Sequence, residues 1–224
     1  MKTKLPLLIV SMAATVAAAS AAEALKHYWE GSVEIRDAQV IAHRSAHIDA
    51  YGSSKVTAEN NAVIRAYGTT EVEAFGNAAV HAFAGSKVKA RENCRVIARN
   101  FAQVDAAESA VVEAYGNSKV AASGNVTVLA TDNAEVIATD HVTVLALGNC
   151  KVTACGDVSV KARDNASVLA SERAIVGAHG TSVITASGEA TVKAVKPAQV
   201  ITQEGSKVRV TFLKAEPDCC NQVM

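Results

Sequence analysis

The sequence predicts an all-β protein, a two-sided parallel β-solenoid (β-helix) with 16 residues per coil and about 11 coils. Three observations predict it. Every eighth position from Val40 to Val208 is Val or Ile. Two residues after each, from Ala42 to Ala194, stands Ala, twenty times in succession. Nine of the thirteen glycines, among them Gly52, Gly68, Gly116 and Gly180, share one position of the three-residue corner that follows. Alternation with period two puts the small, Val and Ala positions on one face of a strand, whereas a helix would scatter them. Gly and Asn at the corners accept the left-handed backbone angles of sharp turns. Each octad is therefore one short strand and one corner.

Splitting the columns by sixteen decides how many octads make a coil. The inward small position is Ser or Thr at Ser54, Thr70, Ser86, Ser118 and Ser182, all in one half-set. The aromatic corner residues Tyr51, Tyr67, Phe83 and Tyr115 share a half-set too, while Glu92, Glu108 and Glu172 occupy the other. A three-sided coil of 24 residues would mix these sets, so the coil is two-sided. Composition fits a thin interior. Half of the 224 residues are hydrophobic but only 4% are aromatic, and 44 are Ala and 31 Val. Ala is a poor strand former, so its recurrence reports that nothing larger fits.

Along the chain, residues 1–22 read as a secretory signal peptide: Lys2 and Lys4, an apolar run, then the small residues Ala19-Ser20-Ala21. No second long apolar stretch follows, so no membrane span is expected after cleavage. The chain is expected to be exported: periplasmic, on the cell surface or secreted. Residues 23–37, with the lone Trp29, read as an N-terminal cap because the rhythm slips there. Residues 38–212 are the β-solenoid, and 213–224 form a polar C-terminal tail. Five cysteines is an odd number for an exported chain, which points to a thiol left free or paired between chains. Cys94 and Cys150 stand at inward small positions and read as buried substitutes for Ala or Ser. Cys219 and Cys220 in the tail are the candidates for an intermolecular disulfide.

Outward residues repeat every sixteen along each face. One column runs Lys55, Glu71, Lys87, Gln103, Lys119, Glu135, Lys151, and its neighbour holds Glu73, Lys89 and Asp105. Alternating charge predicts a self-neutralising solvated face. The opposite face is less polar: Ile97, Val111, Thr127, Leu129, Thr143 and Leu145 form the candidate interaction face. Lys plus Arg equals Asp plus Glu at 22 each, so a nucleic-acid partner is not expected. Catalysis needs groups converging in a cleft, which short corners do not build, so no catalytic, metal or cofactor-binding residue is assigned and no cofactor is expected. Glu92 over Glu108 predicts a repulsion relieved by Arg91 and Arg99. His43 and His47 are not on a helix, and His27, His81, His141 and His179 read as isolated.

The units Tyr51-Gly-Ser-Ser-Lys-Val-Thr-Ala58, Phe75-Gly-Asn-Ala-Ala-Val-His-Ala82 and Tyr115-Gly-Asn-Ser-Lys-Val-Ala-Ala122 resemble bacterial octapeptide-repeat β-solenoid sequences with a Tyr-(Gly/Asp)-Asn-Ala-x-Val-x-Ala consensus. The resemblance covers nearly the whole chain after residue 22 and implies the fold, with no defined activity and no functional residues to carry over. The expected function is that of a non-catalytic exported structural or surface protein. It would be a rigid rod that self-associates by its ends or its apolar face, or meets cell-surface components. The alternative is a binding module for carbohydrate, protein or ice on the flat Thr/Leu-rich face; an enzyme is disfavoured.

Overall fold

The computed structural model describes residues 25–214; the expected signal peptide and the Cys219–Cys220 pair lie outside the described residues. Twenty-four short strands, β1 to β24 in chain order, form two parallel sheets of 12 strands each. Odd-numbered strands make one sheet and even-numbered strands the other, so each coil gives one strand to each. Through the body of the rod the register is sixteen, as in Val56 beside Val72 and Val112 beside Val128. Twelve coils at ~4.8 Å spacing make a rod roughly 50 Å long.

The interior is the predicted seam. All twenty alanines from Ala42 to Ala194 are buried, as are the Val and Ile positions beside them as far as Val192. Inward Ser54, Thr70, Ser86 and Ser118 are also buried, and each hydroxyl donates to the carbonyl three residues earlier, at 2.7–3.0 Å. That bond gives each corner carbonyl a donor, the only one seen among the described residues at Tyr67 and Tyr115 and a second one at Tyr51 and Phe83, whose carbonyls also accept the backbone N–H of Asp37 and Ser86. At the same edge the rings of Tyr51, Tyr67 and Phe83 stack in one line, 4.9 Å between centroids. The half-set chemistry of the sequence is thus the chemistry of one edge of the rod.

Both ends depart from the strict clock. The segment expected as a cap forms a further coil, which is why there are twelve coils and not eleven. β1 (Lys26–Tyr28) pairs with β3 (Gln39–Ala42), and β2 (Ser32–Arg36) pairs with β4 (His47–Tyr51). The registers are fourteen and fifteen, Lys26 to Val40 and Ser32 to His47, so the coil is shorter and its rhythm is masked. At the far end the octad series also breaks. β23 (Gln199–Thr202) keeps the register of sixteen, but in β24 (Arg209–Leu213) Val210 pairs with Val192 and Phe212 with Ala194. Two extra residues enter that last corner, so Val208 precedes the strand and the repeat is not free of insertions.

Candidate functional site

The candidate face is built by four neighbouring even strands, β10 (Arg95–Ala98), β12 (Val111–Ala114), β14 (Thr127–Ala130) and β16 (Thr143–Ala146). Each contributes its first and third residues outward. Val111, Thr127 and Thr143 form one column in register, and Leu129 lies beside Leu145 in the next. Val111, Thr127 and Thr143 are exposed and the two leucines are half-buried. Ile97 shares the leucine column but is separated from it by Glu113. Five of the six named residues are therefore contiguous, and Ile97 stands apart.

Glu113 is a polar divider. Its carboxylate accepts from Arg95 at 2.5 Å and from the Tyr115 hydroxyl at 3.0 Å. Those hydrogen bonds, Arg95's first, hold Glu113 below the ordinary carboxylate range and raise Tyr115. His81, two coils away on this face, is pushed down chiefly by burial and then by Arg65.

The charged face behaves as its alternation predicts. Glu71 lies between Lys55 and Lys87 at 3.7 and 3.9 Å, Lys89 meets Glu73 at 2.9 Å, and Lys119 meets Glu135 at 3.2 Å. This face also carries a concavity that the sequence reading did not anticipate. A furrow of about 680 Å³ runs along the rod between the two side-chain columns from Glu71 to Lys151. Its lining includes Lys89, Asp105, Lys119, Ala121, Glu135 and Ile137. The short Ala121 side chain opens a gap in a column otherwise filled by longer groups. A single small residue in an outward column is the signal that could have found it.

The corner acids have a different role from the one expected. Glu108 accepts the backbone N–H of Glu92 at 3.0 Å, and Glu92 accepts that of Gly76 at 2.9 Å. Asp132, Asp140 and Asp164 do the same for Gly116, Gly124 and Gly148. Repulsion between Glu92 and Glu108 is therefore offset by peptide N–H groups, not by Arg91 and Arg99. Arg91 pairs with Asp105 at 3.1 Å and Arg99 lies over the Tyr115 ring. Each of these acids has positive φ, so its carboxylate anchors a left-handed backbone conformation that Gly, Asn and Asp accept more readily than Glu does.

His27 and His43 are not isolated. His43 is 8% exposed, its Nδ1 lies 2.8 Å from Glu59 Oε2, and its Nε2 lies 2.9 Å from His27 Nδ1. The Trp29 ring stacks on His43 at 4.0 Å, and the Arg44 guanidinium lies over the Trp29 ring. His43 and Glu59 are sixteen apart, which the coil length alone could have paired. Trp29 joins them only through the first coil's register of fourteen. This cluster fastens that coil to the rod. Cys94 and Cys150 are buried, and burial raises both thiols, the state of an unreactive core cysteine. Among the described residues no helix is long and apolar enough to cross a membrane, and no group of three or more His, Cys, Asp and Glu is placed to hold a metal ion. No family model matches the chain, nor does any curated protein or any solved structure.

Proposed function

We propose that the protein is a non-catalytic exported structural or surface protein, a rigid rod that presents its ends and faces to other copies or to cell-surface components. One observation carries this reading. The polar side chains bond along the rod axis, from one coil to the next, as in Lys89–Glu73, Arg173–Asp157 and the corner acids on neighbouring peptide groups. Chemistry needs groups that converge on one point. Here those groups fix register and stiffness. Export rests on the signal-peptide pattern before Leu25. The test is electron microscopy and sedimentation of the purified protein at rising concentration, alone and with cell-envelope fractions. Rods roughly 50 Å long that associate with each other or with the envelope are expected. Rods that stay single and bind neither would overturn the reading.

A second reading is a binding module, and the furrow beside Ala121 favours it over the flat Thr/Leu face. An elongated ligand lying along the axis would meet Lys119, Glu135 and Ile137. Filling the gap with Ala121→Arg should abolish such binding and leave the fold intact; unchanged capture of the same glycans or peptides would remove this reading.

A further inference from the structure

The two ends of the rod are not alike. At the first coil Ile35 is 7% exposed, Tyr28 and Val33 pack half-buried on the core, and Trp29, though 52% exposed, is an outlying ring that lies on His43 and not on the seam. The inward position of β1 in register with Val40 is Lys26, a charge on the seam where another strand would be added. Inward charges are how edge strands resist further pairing. At the last coil, Phe212 is 56% exposed, Val210 36% and Ile201 54%, with Val200 and Val208 half-buried. β23 and β24 each pair on one side only, so each offers a free row of backbone N–H and C=O groups among the described residues.

Whatever covers this end must supply two strand edges at once, set apart by the thickness of the rod. The end of a second copy does so. Its first coil is a poor match: continuing the ladder would set Lys26 against Val200. It would also crowd Tyr28 and Ile35 against Thr202 and Phe212 in columns that elsewhere hold only Ala. Its last coil is a good match. Antiparallel pairing of β24 about Val210 brings Val210 opposite its counterpart, with Phe212 lying over Val208, which immediately precedes the strand. We propose that the C-terminal end of the rod is a dimerisation surface for a second copy of this chain, tail to tail, with β23 and β24 pairing to their counterparts across one apolar seam.

Two further features of the chain support this occupant. Beyond Lys214 come ten residues that contain Glu216 and Asp218, opposite in sign to Lys207, Arg209 and Lys214 of the last coil. They also contain Cys219 and Cys220, and the five residues from Lys214 to Cys219 reach at most about 17 Å. Tail to tail, the two copies of Lys214 lie at the same seam, and the cysteines that follow in sequence are within chain reach of one another. Head to tail, they would meet a first coil without cysteine, the first Cys being Cys94. The end of a two-sheet rod is small, so the dimer falls among weak, concentration-dependent assemblies.

The inference rests on the self-association reading, and the experiment separates the two. Sedimentation of the reduced protein at rising concentration should show a monomer–dimer equilibrium, with particles about twice the single-rod length. Phe212→Asp, at an exposed position, should weaken the dimer about tenfold or more while circular dichroism stays unchanged. Thr127→Lys with Leu129→Lys should leave it intact. Oxidised glutathione added to the wild type should trap a dimer, the two protein thiols forming one S–S bond as glutathione disulfide is reduced to two thiols. Cys219→Ser with Cys220→Ser should abolish that band. A protein that stays monomeric fails both readings. Association weakened by the Thr127/Leu129 change and not by Phe212→Asp overturns the tail-to-tail end alone, as do rods joined in open chains or no trapped dimer.

Discussion

Gly68 and Gly180 sit at the same corner of the same edge, with φ of 70° and 65°, and differ in what lies one coil away. A Cβ on Gly68 would meet only the backbone of Gly52, nearest at 3.4 Å. On Gly180 it would meet the N, O and Cα of Asp164 at 2.9, 3.0 and 3.1 Å. Placing Ala in the left-handed region costs about 1–2 kcal/mol. About 0.4–1 kcal/mol returns because Ala stiffens the unfolded chain. Gly68→Ala should therefore destabilise by about 0.5–1.5 kcal/mol. Gly180→Ala adds an overpacking of about 1–3 kcal/mol, because Asp164 contributes rigid peptide atoms that can only move by opening the coil spacing. Its melting temperature should fall by about 4–12 °C, and that of Gly68→Ala by several degrees less. The assay is parallel thermal and urea unfolding followed by circular dichroism. Equal losses would show that φ alone sets the cost and that coil spacing is soft, which would refute the close-stacking argument.

Three further outcomes follow from the same columns. Ala130, fully buried between Ala114 and Ala146, should not accept Leu: Ala130→Leu should cost about 1–3 kcal/mol or more in urea unfolding. Ser182 is the inward serine whose hydroxyl lacks a partner, so Ser182→Ala should stabilise by about 1 kcal/mol, whereas Ser54→Ala, which breaks the bond to Tyr51, should destabilise. Glu113 is held below its ordinary range, so its contribution is complete above the unfolded carboxylate pKa and is lost as pH falls through the folded value. Acid titration of stability should show that loss, about 0.5–1 kcal/mol for a half-buried carboxylate paired with an exposed, solvent-screened Arg95, absent in Glu113→Gln.

The body of the fold was legible because each column repeats one physical demand. Ala at twenty successive inward positions reports the thickness of the rod, and Ser or Thr in one half-set reports an edge carbonyl needing a donor. What was hidden lies where a repeat is broken or where a contact runs between coils. β1 and β2 were masked because their registers of fourteen and fifteen violate the clock. Val208 keeps the clock yet leaves the strand, because two residues enter the last corner and a period cannot show an insertion that lands on another Val. The role of Glu92 and Glu108 was misread because charge counting sees two like charges stacked. The backbone N–H that each carboxylate meets belongs to no column of side chains.

In a solenoid whose side chains bond to the equivalents one coil away, most surface is committed to holding the next coil. Function then concentrates where a column fails to continue. Ala121 is one such break, and it opens the furrow between Asp105 and Ile137. Glu113 is another, since it limits the Thr/Leu strip to β12 through β16 and leaves Ile97 outside. The ends are the largest breaks, because there every column stops together and two strands lose a neighbour. The first coil meets that loss with the inward Lys26 and with Trp29, half exposed but stacked on His43, while the last carries Phe212, more than half exposed, at an inward position. A core held to Ala and Val cannot bury a phenyl ring, so Phe212 marks the place where the columns of the rod stop, and it is there that the proposed tail-to-tail contact would form.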